Sequence, residues 1–126
     1  MKALNIIEAA YRATLEEQDD TIVWITHAMK GAGADLDVLL RGNAVNYAVK
    51  VQDASGLSLG DWTQSHPPRI ADDVGGLIGK GVEVYIVADD VAERGLSDGE
   101  LIDGVKPVSR ADVAGLLGNY DQVWHW

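Results

Sequence analysis

The segment VYIVADDVAERGL, Val84 to Leu96, contains the pattern that decides the fold. Its four apolar residues are typical of a buried strand, and the acidic pair Asp89 and Asp90 soon follows, at the start of a short helical pattern that ends at Gly95. Similar apolar runs, each followed by a helical pattern, recur along the chain. This alternation predicts an α/β sandwich of three layers, in which a mostly parallel sheet of about five strands is flanked by helices.

The expected elements span the chain, which we interpret as one domain over residues 1–126. Strands are expected at 2–8, 36–42, 82–87, 105–108 and, as an edge strand, within 121–126. Helices are expected at 16–31, 44–52, 69–80 and 109–118, with a short one within 97–105, and Asn43 and Ser109 are expected as N-caps. The β-branched run TIVWI favours a strand, but the length of its segment and the preceding Asp19 and Asp20 favour a helix.

The composition excludes several classes of function. There is no cysteine, which excludes disulfides, thiolate zinc sites and a cysteine nucleophile or persulfide carrier. Twenty acidic and ten basic residues give a net charge of -10, so phosphate backbones and anionic lipids repel the chain, and we expect neither nucleic-acid nor membrane binding. No apolar run approaches the roughly 18 residues that a membrane helix needs, and we expect a soluble, cytoplasmic protein.

Polar side chains follow the predicted strands at their carboxyl ends, where parallel sheets tend to bind ligands. That rule brings Arg41, Asn43 and the pair Asp89 and Asp90 to one rim of the sheet. Carboxylate oxygens suit a hard cation such as magnesium, so a cationic or hydrogen-bond-donating ligand is expected before a phosphate. The alternative interpretation is that one of these carboxylates caps a helix from Val91 to Gly95.

A long segment rich in Ser, Gly, Asp and Pro, residues 53–68, is predicted to be a loop that serves as a lid or an interface arm. His66 lies near its end, and we expect this side chain to reach over the rim. The three histidines lie in separate segments without the spacing of a metal-binding helix or a serine triad, so no catalytic residue and no metal site is predicted. Trp124 and Trp126 are interpreted as packing or subunit-interface groups.

Three segments carry a family resemblance: GADLDVLLRGNAV (Gly33–Val45), GVEVYIVADDVAERGL (Gly81–Leu96) and LIDGVKPVSRADVAGLL (Leu101–Leu117). With these segments in this order, the chain resembles the DsrE/DsrF-like family, whose best-known members are sulfur-relay proteins related to the TusBCD complex. The resemblance covers nearly the whole chain. It implies the family's α/β fold and a homo-oligomer, either a trimer or a dimer of trimers, with a sulfur-relay protein as a partner.

The resemblance also implies where sulfur chemistry would lie. In sulfur-carrying members, a cysteine that holds the persulfide stands at the carboxyl end of the strand before an Arg-Gly pair. Here the matching positions are Val87 and Ala88, and neither side chain can carry sulfur. The candidate ligand-binding residues are therefore Arg41, Asn43, His66, Val87, Ala88, Asp89, Asp90 and Arg94.

Three functions remain open on these grounds. The first is a non-catalytic family member that binds a small molecule or a relay partner at the rim, within an oligomer and without a cofactor. The second is an enzyme that uses Asp89 or Asp90, together with His66 or Arg41, on an unidentified substrate. The third is a structural subunit that completes a hetero-oligomer. A concave rim with converging polar groups would favour the first two, and a flat rim covered by another subunit would favour the third.

Overall fold

A computed structural model describes residues 1–12, 14 and 19–126 of the chain, and it confirms an α/β fold built on a five-stranded parallel sheet. The strands are β1 (Lys2–Ile7), β2 (Asp35–Leu40), β3 (Ser58–Leu59), β4 (Trp62–Thr63), β5 (Val84–Val87), β6 (Lys106–Val108) and β7 (Gln122–His125). The helices are α1 (Thr21–Gly31), α2 (Ile70–Gly79), α3 (Ala88–Glu93) and α4 (Val113–Leu117), with 3₁₀ helices at Gly42–Ala48, Asp98–Glu100 and Arg110–Asp112.

The order of the strands determines where a ligand can bind. The sheet has the order β6-β5-β2-β1-β7, and every neighbouring pair is parallel. The chain therefore moves in one direction from β1 through β2 and β5 to β6, and then crosses back to place β7 beside β1. Such a reversal is a topological switch point, and in open α/β sheets the crevice beyond the strand ends at this point is the usual ligand site.

The same reversal distributes the helices over both faces of the sheet. Crossovers between parallel strands are almost always right-handed, so a change of direction puts the last connecting helix on the opposite face. On the larger side, α1 and α2 cover the sheet with Ile22, Val23, Val74 and Leu77. On the smaller side, α4 packs Val113, Leu116 and Leu117 against Leu4, Ile6 and Leu39. Because both faces are covered, the central strands are apolar on both sides, as their continuous apolar runs predict.

Helix α1 begins at Thr21, and the buried carboxylate of Asp20 caps it. Oδ1 of Asp20 accepts hydrogen bonds from the amides of Ile22 (2.9 Å) and Val23 (3.0 Å), and Oδ2 accepts one from the hydroxyl of Tyr47 (2.7 Å). An N-cap of this kind stabilises a helix by about 1 kcal/mol. The segment TIVWI is therefore helical, as expected.

The expected start of this helix was too early. Asp19 and Asp20 precede the helix because the Asp20 side chain satisfies its first amides. The remainder of the expected first turn, residues 16–18, lies outside the described residues.

The segment after β2 differs from its prediction, because a 3₁₀ helix over Gly42–Ala48 replaces the expected α-helix over 44–52. Asn43 is not its N-cap, since its side-chain oxygen accepts hydrogen bonds from Arg94 instead. The side-chain amide of Gln52 donates to the carbonyls of Asn46 and Val49, which satisfies the end of the helix without another turn.

The predicted loop over 53–68 contains a small antiparallel hairpin of β3 and β4. Leu59 and Trp62 are opposite each other across this hairpin, and both are exposed, by 60% and 43% of their surface. Among the described residues, none of the helices combines the length and the apolar character that crossing a bilayer requires.

Candidate functional site

The carboxyl ends of the central strands surround an open depression of about 540 Å³, which we name the strand-end cleft. It lies at the switch point between β1 and β7. The residues that line it are Glu8, Ala9, Gly42, Asn43, Arg94, His125 and Trp126. Because they lie at or beyond the ends of β1, β2, β5 and β7, residues far apart in the sequence meet at one edge of the sheet.

Glu8 forms the acidic side of the strand-end cleft and lies between two basic groups. Its Oε2 is 2.5 Å from Nε2 of His125, and its Oε1 is 3.8 Å from Nε of Arg41. All three side chains are partly exposed. The charge of this carboxylate is therefore compensated within the site, by Arg41 at any pH and by His125 when the imidazole is protonated.

Arg94 forms the basic side of the strand-end cleft, and neutral acceptors hold it in place. Oδ1 of Asn43 accepts hydrogen bonds from Nη2 (2.8 Å) and Nε (3.2 Å) of Arg94, and the carbonyl of Asp90 accepts one from Nη1 (3.1 Å). Since a guanidinium can only donate, these contacts also fix the Asn43 oxygen toward Arg94. Within the described part of the chain, Arg94 has no carboxylate oxygen within 4.0 Å, the limit for an ion pair.

Asp90 lies behind the strand-end cleft and holds other elements together. Only 6% of its surface is exposed. Its Oδ2 accepts a hydrogen bond from the amide of Gly42 (2.7 Å), and its Oδ1 lies 2.5 Å from Nη2 of Arg110. Asp89 has a similar role, because its Oδ1 accepts a hydrogen bond from the amide of Arg110 (2.7 Å). Neither aspartate is among the residues that line the strand-end cleft.

The helix-cap interpretation of this acidic pair is wrong. Helix α3 begins at Ala88, so both aspartates are within its first turn, and the preceding Val87 makes no side-chain cap. Acidic side chains in the first turn still interact favourably with the helix dipole. In the part of the chain that the structure describes, no three His, Asp or Glu side chains are grouped so that they could hold a metal ion.

Opposing effects act on the pKa of Asp90. Burial raises the pKa, but the hydrogen bond from the Gly42 amide, the hydrogen bond and charge of Arg110 and the charge of Arg94 lower it more. The net pKa is lower than the usual value for an aspartate. The ionised carboxylate therefore stabilises the fold above the unfolded-state pKa of about 4, and this contribution is lost as the pH falls through the folded-state value.

Gly42 allows β1 and β2 to end close together. Its φ of +56° lies in the left-handed region, and a Cβ atom at this position would approach Cγ of Glu8 to 3.1 Å. Any larger residue would therefore have a strained backbone and a tight contact with Glu8. The same conformation presents the Gly42 amide to Asp90.

The structure brings together only part of the predicted site. Asn43 and Arg94 line the strand-end cleft, and Arg41 reaches it through Glu8. Val87 is instead buried in the core on the smaller side of the sheet, and Ala88 begins α3. His66 remains in the exposed loop, where its Nδ1 is 3.0 Å from the Ser65 hydroxyl, and it is not among the residues that line the strand-end cleft.

Sequence reasoning missed Glu8, His125 and Trp126. Glu8 is the last residue of the first predicted strand, so the rule that selected Arg41 also applied to it. His125 and Trp126 required knowledge that β7 pairs with β1, in parallel and at the edge of the sheet. Trp126 is anchored there, since its Nε1 donates a hydrogen bond to Oδ1 of the buried Asn5 (3.2 Å).

A second depression of about 350 Å³, the loop cavity, lies beneath the hairpin segment. It is lined by Tyr11, Thr14, Gln52, Asp53, Ala54, Ser55, Gly56, Leu57, Gln64, Pro67, Pro68 and Ile70. These residues carry few charges, and they belong to the segments that connect β1 to α1 and β2 to α2, up to the first residue of α2.

We expect Asp90→Asn to lower the free energy of unfolding by about 1–3 kcal/mol at pH 7, because an amide replaces one acceptor oxygen with a donor that faces Gly42 or Arg110. Thermal unfolding should show the difference from the parent shrinking below about pH 4, where the parent carboxylate is also protonated. Asp89→Asn is the matched control and should cost less, since one hydrogen bond is affected. Stabilisation of the parent by Mg²⁺ that either variant abolishes would contradict this account and indicate a cation site.

Comparison with known proteins agrees with this architecture. The model of the DsrE/DsrF-like family matches residues 3–125. A search of curated proteins found no significant match. Among solved structures, the ychN protein from E. coli is 20% identical, covers all of both chains and has a TM-score of 0.72. Protein MTH1491 of unknown function from Methanobacterium thermoautotrophicum is 13% identical over 98% of this chain and 97% of its own, with a TM-score of 0.65. The chain belongs to the DsrE/DsrF-like family.

Proposed function

We propose that this chain is a non-catalytic member of its family, related to sulfur-relay proteins, that binds a small molecule in the strand-end cleft and carries no sulfur. The observation that supports this most strongly is the contrast between two positions. The end of β5, where the resemblance implies a reactive cysteine, holds the buried Val87, whereas the neighbouring strand-end cleft keeps a fixed Arg94 and a paired Glu8.

The absence of a thiol is the chemical ground against sulfur transfer by this chain. A persulfide forms on a thiolate, and the sequence has no cysteine. The carboxylates near the end of β5 do not replace it as nucleophiles, because Asp89 and Asp90 accept hydrogen bonds from Arg110 and Gly42. An enzyme that uses this acidic pair with His66 or Arg41 is the weaker proposal, since His66 pairs with its neighbour in an exposed loop and Arg41 faces Glu8.

The geometry of the strand-end cleft supports ligand binding. The strand-end cleft is concave, lies at the switch point and gathers a carboxylate, a guanidinium, an amide, an imidazole and an indole from four strand ends. Two of these groups are held by neighbours before any ligand arrives, because Asn43 fixes Arg94 and the buried Asn5 fixes Trp126. Such preorganisation lowers the entropy cost of binding.

Self-association is part of the same proposal. Leu59 and Trp62 project from the hairpin, and large exposed apolar groups that lie together usually mark an interface. We propose a homo-oligomer, a trimer or a hexamer, that works in the cytoplasm with a sulfur-relay protein as its partner. A subunit with a purely structural role would share this surface but would need no ligand.

We expect no sulfur transfer by this chain. After incubation with a cysteine desulfurase and cysteine, or with thiosulfate, intact-mass measurement should return the unmodified mass because no thiolate is present. A second chain in the same reaction that carries an accessible low-pKa cysteine serves as the positive control. A stable adduct of one sulfur atom on this chain would refute the proposal.

We expect small molecules to bind the strand-end cleft in preference to the loop cavity. Ligand-observed NMR with a mixed set of cationic, neutral and anionic fragments should give binders that Ala9→Phe removes, because a phenyl ring at this position fills the strand-end cleft. Ala54→Phe, which fills the loop cavity, is the matched control and should retain them. Loss of the binders only in Ala54→Phe, or no binders at all, would overturn the proposed site.

We expect light scattering at micromolar concentration to give a mass above the 13.5 kDa of one chain. Trp62→Ser should shift the assembly toward smaller species, because it removes an exposed apolar group from the hairpin. Trp24→Ser changes a tryptophan of similar exposure on α1 and should leave the mass unchanged. A monomeric parent would rule out self-association.

A further inference from the structure

Arg94 has an unusual environment for a cation in an acidic protein. The chain has 20 acidic and 10 basic residues, and five Lys and Arg side chains among the described residues reach a carboxylate. Arg94 is fixed by three hydrogen bonds, yet all of their acceptors are neutral. The carboxylates of Asp90 and Glu93, which precede it on α3, interact with Arg110 instead.

The hydrogen bonds of Arg94 leave part of its donor capacity for a ligand. A guanidinium has five N–H groups, and Arg94 uses Nε and one N–H on each terminal nitrogen. One N–H on each terminal nitrogen therefore has no acceptor among the described residues. Donors on the two terminal nitrogens of one planar guanidinium can pair with the two oxygens of a carboxylate.

The other charges of the strand-end cleft limit the ligand to a single negative charge. Glu8 is compensated by Arg41 and, when protonated, by His125, so the surroundings of Arg94 are less acidic than the net charge of -10 indicates. A dianion would still be repelled by the Glu8 carboxylate and by the acidic protein as a whole. A phosphate is therefore a poorer fit than a monoanion.

Trp126 adds an apolar wall to the same site. Trp126 lines the strand-end cleft, and the hydrogen bond from Nε1 to Asn5 holds its indole ring in one orientation. About 40% of its surface remains exposed. A fixed and exposed aromatic face favours a ligand with an apolar or aromatic body beside its charged group.

We propose that the strand-end cleft binds a small organic acid with one carboxylate, which is held by Arg94 while its apolar part packs against Trp126. This rests on the proposed function, since it names the class of ligand for the same site. It replaces the cationic ligand expected from the sequence, because Asp89 and Asp90 point to Arg110 and Gly42 and leave Arg94 as the charge available to a ligand.

The test compares three probes on the full chain by ligand-observed NMR titration. Benzoate combines a carboxylate with an aromatic ring, and benzamide is its neutral isostere. Inorganic phosphate, titrated at a pH above its second pKa, is the dianion. We expect benzoate to bind about tenfold more tightly than benzamide, which corresponds to one charge-assisted contact of roughly 1.4 kcal/mol. Phosphate should bind more weakly than benzoate.

Variants test which residue makes the protein bind benzoate more tightly than benzamide. Arg94→Gln should reduce the affinity for benzoate to that of benzamide, while Arg69→Gln, which removes an exposed charge before α2, should leave both affinities unchanged. Asn43→Ala retains the charge of Arg94 but removes its acceptor, and it should weaken benzoate binding by a smaller factor. Thermal unfolding of each variant establishes that it is folded, and Asn43→Ala serves if Arg94→Gln does not fold.

The outcomes separate this inference from the proposed function. If benzamide binds as tightly as benzoate and Ala9→Phe abolishes both, the cleft is a binding site but the carboxylate inference is wrong. Tighter binding of phosphate than of benzoate also overturns it. If Arg69→Gln lowers the affinity for benzoate as much as Arg94→Gln, the preference reflects the overall charge and not this site. Absence of binding by every probe and every fragment contradicts both proposals.

Discussion

The buried carboxylate of Asp90 joins the ends of three neighbouring strands. It lies in α3, which follows β5, and it accepts hydrogen bonds from Gly42 after β2 and from Arg110 after β6. One residue after Gly42 is Asn43, and one helical turn after Asp90 is Arg94. The Asp90 carboxylate holds Gly42, beside Asn43, and the Asp90 backbone carbonyl accepts a hydrogen bond from Arg94. Asp90 therefore positions both partners of the contact between Asn43 and Arg94. An aspartate that supplies no atom to the strand-end cleft thus determines its basic side.

The direction of the chain through the sheet determines the other side of the cleft. Because β7 returns to the free side of β1, the ends of these two strands bring Glu8, His125 and Trp126 next to Gly42. Gly42 permits this close approach through its left-handed backbone. A site at this position needs no cysteine to be concave and polar. The chemistry implied by the family resemblance can therefore be absent while a concave, polar cleft remains.

Much of the fold could be predicted because local signals and burial agree. The apolar runs of β1, β2 and β5 are buried on both faces, and Ser109 caps the turn before α4, with its hydroxyl oxygen accepting a hydrogen bond from the amide of Asp112. The prediction of an α-helix over 44–52 was wrong because contacts from Asp90, Arg94 and Gln52 override the helical propensity of this segment. These contacts are long-range or depend on side-chain direction, which periodicity does not contain.

The candidate site was only partly predictable for the same reason. The rule on strand ends selected Arg41 and Asn43 correctly as residues of one edge, but it could not show that Asp89 and Asp90 turn toward Arg110 and Gly42. His125 and Trp126 could not be assigned to the site because β7 pairs with β1, and the paired residues are more than a hundred positions apart in the sequence.

The most direct measurement is a crystal structure of the protein with benzoate. The account predicts the carboxylate within hydrogen-bonding distance of both terminal nitrogens of Arg94 and the ring against Trp126, with Asn43 still bound to Nε. Benzoate in the loop cavity, or in the strand-end cleft with its carboxylate turned away from Arg94, would contradict it.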